Sequence, residues 1–319
     1  MTILSPEDFF TRYHALMAQT QLHAKDTDDV QKKREIAALL FPDVSIDLAL
    51  AQMEYFHDNS KPLVLTPPLD IAGKLHWLKL YYRHPDLGRY VDKIACREIV
   101  TARAGDNLLP KLYWTGTEID ELDKARPNVP FVLKANHGWN MNRFYRDPTT
   151  FNAADVRDLT AKWLATNHYL RHGEWAYSQI TPRLLAEELL CPEQGPLYDF
   201  KFFCFNGVPK FLKVDAGRES VRKQAYLDLD WQMMPCHNPN YQFFSDIPPR
   251  PPHFNQLVEL AHTLAEGLAF VRLDLYDTGE RVVFGEFTLY PCGGNLRLEP
   301  EKWNRWMGDL LELPPPITP

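Results

Sequence analysis

VRLDLYDTGERVVFGEFTLYPCGG, residues 271–294, is two alternating runs around the turn signal Asp277-Thr278-Gly279, a pattern that predicts an antiparallel hairpin. In the first run Val271, Leu273 and Leu275 share one face, and Arg272 and Asp274 share the other. In the second, Val283, Phe287 and Leu289 cover the same core and leave Glu286 and Thr288 beside Arg272 and Asp274. Setting Asp274 across from Glu286 requires a connection of about three residues. Two carboxylates opposite one another on an open sheet face repel by roughly 0.2–1 kcal/mol, so a cation belongs between them. Arg272 is one candidate. A divalent metal is the other, because carboxylate oxygens are the ligands Mg²⁺ prefers.

The hairpin belongs to a chain of 319 residues, 45% apolar and 24% charged, the balance of a soluble globular protein with material for one large domain or two ordinary ones. A net charge of −7 argues against nucleic acid or an anionic membrane as the main partner, and leaves room for a local basic pocket that takes a phosphorylated ligand. Cys96, Cys191, Cys204, Cys236 and Cys292 are odd in number and scattered without a C-x-x-C pair, the pattern of reduced thiols in a cytoplasmic protein. No stretch approaches ~18 consecutive apolar residues, so no integral membrane segment is expected. Glu7 and Asp8 at the start are not those of a signal peptide.

Residues 1–90 read mainly as helix. Ser5-Pro6-Glu7-Asp8 is a helix start, followed by Phe9, Tyr13, Leu16 and Met17 at helical spacing. Further helices are expected over 30–40, 45–53 and 70–82. Asp92-Lys93 opens a helix through Val100. Residues 108–114 and 129–134 are strands, and the second ends on Lys134 and feeds Ala135-Asn136-His137-Gly138. Such a loop can present backbone N–H groups and a lysine to phosphate oxygens, although G-x-x-x-x-G-K-[ST] occurs nowhere. A buried strand ending on an exposed lysine is the plainer alternative. Residues 155–170 form a helix, with His168 and His172 four apart near its end; without a third ligand nearby they read as surface residues. Residues 180–190 are strand-like and 192–196 a loop. Residues 197–205 alternate, with Asp199 and Lys201 on one side, before the Asn206-Gly207 hairpin turn and a return strand over 210–214. A strand over 225–230, an amphipathic helix within 253–270 that turns Leu257, Leu260, Ala261 and Leu264 inward, and a helix from about Pro300 to Leu311 complete the chain.

In this order the segments resemble the ATP-grasp superfamily and, more narrowly, the TupA-like ATP-grasp family. The resemblance covers the chain from about Lys74 onward. It rests on Lys74-Leu-His-Trp-Leu-Lys-Leu80, Tyr90-Val-Asp-Lys-Ile-Ala-Cys-Arg-Glu-Ile-Val100, Leu133-Lys-Ala-Asn-His-Gly138 and Tyr198-Asp-Phe-Lys-Phe-Phe-Cys-Phe-Asn-Gly207. Asp228-Leu-Asp-Trp231, Val271-Arg-Leu-Asp-Leu-Tyr276 and Phe284-Gly-Glu-Phe-Thr288 complete it. The resemblance implies an α+β fold in which two lobes of antiparallel sheets and helices, residues 91–190 and 191–319, hold ATP between them, preceded by a helical region over 1–90. It implies that Lys93 and Lys134, with His137 and Gly138 of the loop, contact phosphates. Glu187, Glu188, Leu189 and Leu190 would hold the adenine edge, and Asp199 and Lys201 would face the nucleotide from the second lobe. Asp274 and Glu286 would hold Mg²⁺ with Thr288, and Arg272 would act beside the transferred phosphate, with Lys134 as the second catalytic cation. Thr288 stands where many ATP-grasp enzymes carry asparagine, and the loop has one glycine followed by bulky Trp139.

The implied activity is an ADP-forming carboxylate–amine ligase that works through an acyl-phosphate. Its partners would be a small-molecule or glycan-linked carboxylate and an amine, in bacterial cell-surface polysaccharide biosynthesis. Phosphoryl transfer asks for positioning and charge neutralisation, which lysines, an arginine and metal-bridging carboxylates supply. Rival readings are a kinase on the same fold, a glycosyltransferase using Asp228-Leu229-Asp230 as a metal-binding D-x-D, and a nucleotide-binding pseudoenzyme. Trp231 and the strand context make Asp228 and Asp230 a turn feature, and retention of both lysines and both carboxylates opposes the pseudoenzyme.

Overall fold

The computed structural model describes residues 6–20, 29–192, 196–216 and 223–317; Ser5 and most of the loop expected over 192–196 lie outside the described residues. Helices α1 (Pro6–Thr20), α2 (Val30–Leu40) and α3 (Ile46–Asn59) form an N-terminal layer. Pro6 opens α1 with Glu7 and Asp8 in the first turn, where acids suit the helix dipole. Phe9 then stacks on Phe56 of α3 at 4.1 Å, inside a core with Ile36, Leu40 and Leu50.

Helix α4 (Ile71–Tyr81) is capped by Asp70, which accepts from the Gly73 N–H at 2.8 Å. It is followed by α5 (Leu87–Val91) and α6 (Cys96–Ala104). Asp92 does start a helical turn, accepting from Ile94 N at 2.8 Å and Ala95 N at 3.3 Å, but α6 begins only at Cys96. Lys93 therefore lies in the turn ahead of the helix, free to point away from its axis.

The first sheet has the order β1-β4-β2-β3, all antiparallel, from β1 (Leu112–Gly116), β2 (Phe131–Ala135), β3 (Asn142–Tyr145) and β4 (Leu184–Glu188). Phe131, Leu133, Leu184 and Ala186 alternate onto one face and pack with Ile119 and Leu122 of α7 (Ile119–Lys124) and Val156 and Trp163 of α8 (Ala153–Ala165). The opposite face presents Lys134, Leu185 and Glu187. The helix expected over 155–170 breaks: α8 ends at Ala165, and Asn167 caps the separate α9 (His168–His172) by accepting from Tyr169 N at 3.1 Å. His168 and His172 are not surface residues. His168 is 7% exposed, and His172 Nδ1 lies 2.7 Å from Glu54 of α3.

The second sheet has the order β10-β9-β5-β6-β7-β8, from β5 (Asp199–Phe205), β6 (Val208–Ala216), β7 (Lys223–Leu227), β8 (Gln242–Phe243), β9 (Phe270–Asp277) and β10 (Val282–Thr288). Among the described residues of this sheet, β7 and β8 are the pair that runs parallel. Phe200, Phe202, Leu212, Val214, Leu273 and Leu275 form one face beneath α10 (Phe254–Ala265), whose Leu257, Ala261 and Leu264 are fully buried, and α4–α6 join the same core. The opposite face is apolar at one end, where Phe203 stacks on Phe211 at 4.6 Å near Trp306 of α11 (Lys302–Leu310), and charged at the other.

Asp274 does pair with Glu286, by a different route from the expected three-residue connection. Asp277 pairs with Val282 across a four-residue loop, and a bulge between Phe284 and Glu286 restores the register. Gly285 permits the bulge, since a Cβ there would lie 2.8 Å from the Tyr276 ring and 2.9 Å from Asp274 O. The bulge also inverts the phase ahead of it. Val282 and Phe284 join Phe287 and Leu289 on the core face, with the Phe284 and Phe287 rings 4.9 Å apart, while Val283, also fully buried, lies on the opposite face across from Tyr276.

Candidate active site

The first-sheet side is built around the end of β2. Lys134 Nζ donates to Glu187 Oε1 at 2.5 Å, and Arg97 of α6 reaches the other oxygen of Glu187 at 3.5 Å. Glu187 is thus a partner of cations and not an open acceptor. The loop that follows is fixed by Asn136, which sequence reasoning passed over. Its Nδ2 donates to Asp92 Oδ1 at 3.0 Å and its Oδ1 accepts from Arg183 N at 2.7 Å. His137 is spoken for as well, with Nδ1 3.1 Å from Asn136 Oδ1 and Nε2 3.0 Å from Trp163 O. Its imidazole therefore points into the lobe, and what it can offer a ligand is its backbone. Among the described residues, the N–H groups of His137, Gly138, Trp139 and Asn140 have no backbone acceptor.

Gly138 is required where it stands, since a Cβ would come within 2.1 Å of the His168 ring. Burial, reinforced by the charges of His137 and Lys93, brings His168 down to about 4. At the hinge, the Glu188 N–H donates to Lys111 O at 2.8 Å and the Leu189 N–H to Pro130 O at 3.4 Å. The Glu188 carboxylate accepts from Lys111 N at 3.0 Å and from Arg281 of the β9–β10 loop at 2.7 Å. That last contact ties the two sheets together. Of the hinge residues expected at an adenine edge, Leu190 has an N–H without a backbone partner among the described residues.

The second-sheet side is a charged lattice. Lys201 pairs across the strands with Asp274, and Asp274 with Glu286. Lys201 Nζ donates to Asp199 Oδ2 at 2.6 Å and also to Asp274. Arg272 donates to both oxygens of Asp274 at 2.7 and 2.8 Å, to Glu286 Oε1 at 3.2 Å and to Thr288 Oγ1 at 2.9 Å. Arg272 thus lies between the two carboxylates. Lys93 joins the two sides: its Nζ donates to Gly138 O at 2.5 Å and stands 4.0 Å from Glu286 Oε2. Sequence reasoning missed Lys213 and Asp215, 3.2 Å apart on β6 and opposite Lys201 and Asp199. The alternation of residues 211–215 was the available signal.

Burial works against each of these charges and the lattice overrides it selectively. It pulls the Lys201 ammonium down, but Asp199 and Asp274 outweigh it and hold the group above the ordinary lysine value. The same opposition, burial against Asp274, leaves Arg272 well above its ordinary value. Burial would raise Glu286, yet Lys93, Arg272 and Lys201 hold it below the usual carboxylate range. Asp274, also buried, is pushed up by burial against the pull of Arg272 and Lys201.

Asp274, Glu286 and the Thr288 hydroxyl are all hard oxygen donors, and Glu286 is 38% exposed, so the set fits Mg²⁺. Among the described residues no three His, Cys, Asp or Glu side chains gather as a metal site, so most ligands of such an ion would be phosphate oxygens and water. Asp228 is occupied otherwise. Its Oδ1 accepts from Asp230 N at 3.0 Å and Gln232 N at 2.8 Å, closing the turn in which Trp231 has φ 64°.

No curated protein matches the chain in sequence. Solved structures similar to it include D-alanine–D-alanine ligase from Bacillus anthracis, with 12% identity, 68% of this chain and 58% of that one covered, and a TM-score of 0.38. ATP-grasp ligase PsnB, complexed with a phosphomimetic variant of its minimal precursor, Mg and ADP, shows 11% identity, 75% and 64% coverage and a TM-score of 0.39. N5-carboxyaminoimidazole synthetase from Staphylococcus aureus, complexed with ADP, shows 12% identity, 62% and 43% coverage and a TM-score of 0.33. The chain thus spans less than two thirds of the length of each. The model of the TupA-like ATPgrasp family matches residues 73–312, a span that holds both sheets, the hinge and every residue of the charged lattice. The chain belongs to the TupA-like ATP-grasp family.

Proposed function

We propose that the protein is an ATP- and Mg²⁺-dependent, ADP-forming carboxylate–amine ligase. Its substrates would be a small-molecule or glycan-linked carboxylate and an amine, in the assembly of a bacterial cell-surface polysaccharide or its precursor in the cytoplasm. The observation that carries this reading is Lys93, which reaches the Gly138 loop of one sheet and Glu286 of the other, so that the two sets of charges meet at one residue. Residues 91–190 and 191–319 act as the two lobes, with 1–90 as a helical support.

In this reading Lys93, Lys134 and the N–H groups of the loop at His137 and Gly138 neutralise the α- and β-phosphates, while the segment from Glu187 to Leu190 receives the adenine. Glu187 orients Lys134, and Leu190 offers its backbone edge. Lys201, oriented by Asp199, faces the nucleotide from the second lobe. Asp274, Glu286 and Thr288 would hold Mg²⁺, which supplies charge neutralisation at the β- and γ-phosphates. A carboxylate oxygen of the substrate attacks the γ-phosphorus, and the bond to ADP breaks. The amine then attacks the acyl carbon, phosphate leaves with the C–O bond electrons, and the nitrogen loses a proton. Arg272, held rigid by Asp274, stabilises the charge that spreads over the phosphoryl oxygens during transfer.

The test is product analysis with MgATP and a panel of carboxylates, with hydroxylamine as the amine. ADP, free phosphate and a hydroxamate, all dependent on the carboxylate, are the expected products. A stable phosphorylated product without free phosphate would identify a kinase instead, and AMP with pyrophosphate would contradict both.

A further inference from the structure

Lys74-Leu-His-Trp-Leu-Lys-Leu80 supplies no residue to the charged lattice, yet its three polar side chains all leave α4 for the C-terminal segment. Lys74 Nζ donates to Leu311 O at 2.6 Å and Lys79 Nζ to Gly293 O at 2.6 Å, while His76 Nε2 stands 2.9 Å from Asn295 Oδ1. Lys79 is 1% exposed and His76 fully buried. An ammonium out of water costs several kcal/mol unless it is paired, and this one is met by Glu54 of α3 at 3.7 Å. Glu54 in turn takes Lys33 at 2.5 Å and His172 at 2.7 Å. Side chains from α2, α4 and α9 thus converge on Glu54 of α3, and the buried lysine among them gives its hydrogen bond to a loop carbonyl.

That loop is the turn at 291–295, which begins just after β10 ends. Cys292, Gly293 and Gly294 take φ of 57°, 66° and 101°, three consecutive left-handed residues, and Cys292 has a Cβ that resists the conformation. Within the turn Gly293 N donates to Tyr290 O at 3.0 Å and Asn295 N to Cys292 O at 3.1 Å. Cys292 itself is exposed and within electrostatic reach of Lys213 and Arg272.

We propose that Lys79 and His76 are positioning residues that hold this turn in its left-handed form from α4, and thereby fix the wall of the site beside Arg272 and Lys213. The part of this that concerns turnover rests on the ligase reading; the holding of the turn does not.

The test reads opening of the turn through its own backbone amides, because the Cys292 thiol is exposed already. Full-length protein is transferred into D₂O, and deuterium uptake of the peptide carrying the Gly293 and Asn295 N–H groups, both hydrogen-bonded within the turn, is followed by mass spectrometry. Lys79→Met should speed exchange by about tenfold, as local opening becomes easier. Lys79→Arg, which keeps a donor for Gly293 O, should stay near the unsubstituted rate. Asn295→Ala, which removes only the partner of His76, should give a smaller rise of about threefold. Rates in Lys79→Met and Asn295→Ala within about twofold of the parent protein would overturn the proposal. So would a rise in Lys79→Arg as large as that in Lys79→Met, which reports general loosening. If Lys79→Met does not fold, Asn295→Ala decides alone. Melting shifts with MgATP, measured in parallel, keep the two claims apart: their absence in the parent protein would refute the ligase reading and leave the exchange result standing.

Discussion

Replacing Asp274 with asparagine separates a structural role for the charged lattice from a chemical one. Asp274 accepts two hydrogen bonds from Arg272, at 2.7 and 2.8 Å, and one from Lys201. Both donors have other acceptors: Lys201 keeps Asp199 at 2.6 Å, and Arg272 keeps Glu286 at 3.2 Å and Thr288 at 2.9 Å. Asp199, Asp215, Asp274 and Glu286 against Lys93, Lys201, Lys213 and Arg272 carry no net charge, and Asp274→Asn leaves one excess positive charge that still has carboxylates beside it. The substitution weakens charge-assisted hydrogen bonds and strands no ion, so the expected cost is about 2–3 kcal/mol. Lys201→Met instead leaves one excess negative charge, on Asp199 and Asp274 that are both buried, where about 3–5 kcal/mol is expected. For a chain of this size each kcal/mol lowers Tm by roughly 1.5 °C. Melting followed by circular dichroism without nucleotide should therefore show a folded Asp274→Asn variant several degrees below the parent, and Lys201→Met further down. With MgATP and the carboxylate panel, Asp274→Asn should release no phosphate while still gaining stability from the nucleotide, because the carboxylate acts mainly on charge that develops during transfer. A variant that fails to fold at room temperature would make Asp274 a structural partner of Arg272. A folded variant with undiminished turnover would remove it from the chemistry.

Lys134→Met should lower the MgATP-induced melting shift while leaving the nucleotide-free Tm close to the parent's, since Lys134 is 27% exposed and Glu187 keeps Arg97; an unchanged shift would refute phosphate contact. Gly138→Ala should displace the loop or the His168 ring, because the methyl group cannot stand 2.1 Å from the ring, and nucleotide affinity should fall without loss of the fold, as read by calorimetric titration. Glu174 is raised to about 8, first by burial, against the pull of Lys79. The folded state therefore holds a proton that the unfolded chain has lost above the ordinary glutamate value, and the contribution of this group to stability declines as pH rises from about 4.5 to 8. Glu174→Gln should flatten that part of the Tm–pH profile and raise Tm at the alkaline end; a profile unchanged in shape would refute the assignment.

The hairpin strands and the pairing of Asp274 with Glu286 were legible because alternation fixes faces and the acidic positions fix the register. The bulge at Gly285 was not, since it depends on how closely the Tyr276 ring and Asp274 carbonyl approach. Missing it put Val283 on the face of Leu273 and Leu275 in place of Phe284, although Val283 is itself fully buried on the other face. The same limit applies to β5 and β6, where the Asn206-Gly207 turn gives Phe205 opposite Val208, and an irregularity between Phe203 and Cys204 then sets Lys201 against Lys213. His168 and His172 were misread as exposed because their burial comes from Gly138 and Glu54, residues far away in the chain. Lys93 illustrates the opposite case. Its position after Asp92 is an ordinary helix-start pattern, and only the fold brings it between the loop and the hairpin.

The measurement that bears most directly on the account is a melting titration with MgATP against Mg²⁺ with UDP- or GDP-sugars. A ligand that binds only the folded state stabilises it by about 2.7 kcal/mol at a hundredfold excess over Kd. The account predicts a saturable rise in Tm with MgATP, reduced in Lys134→Met, and none with the nucleotide-sugars. A rise with a nucleotide-sugar and none with MgATP would contradict it.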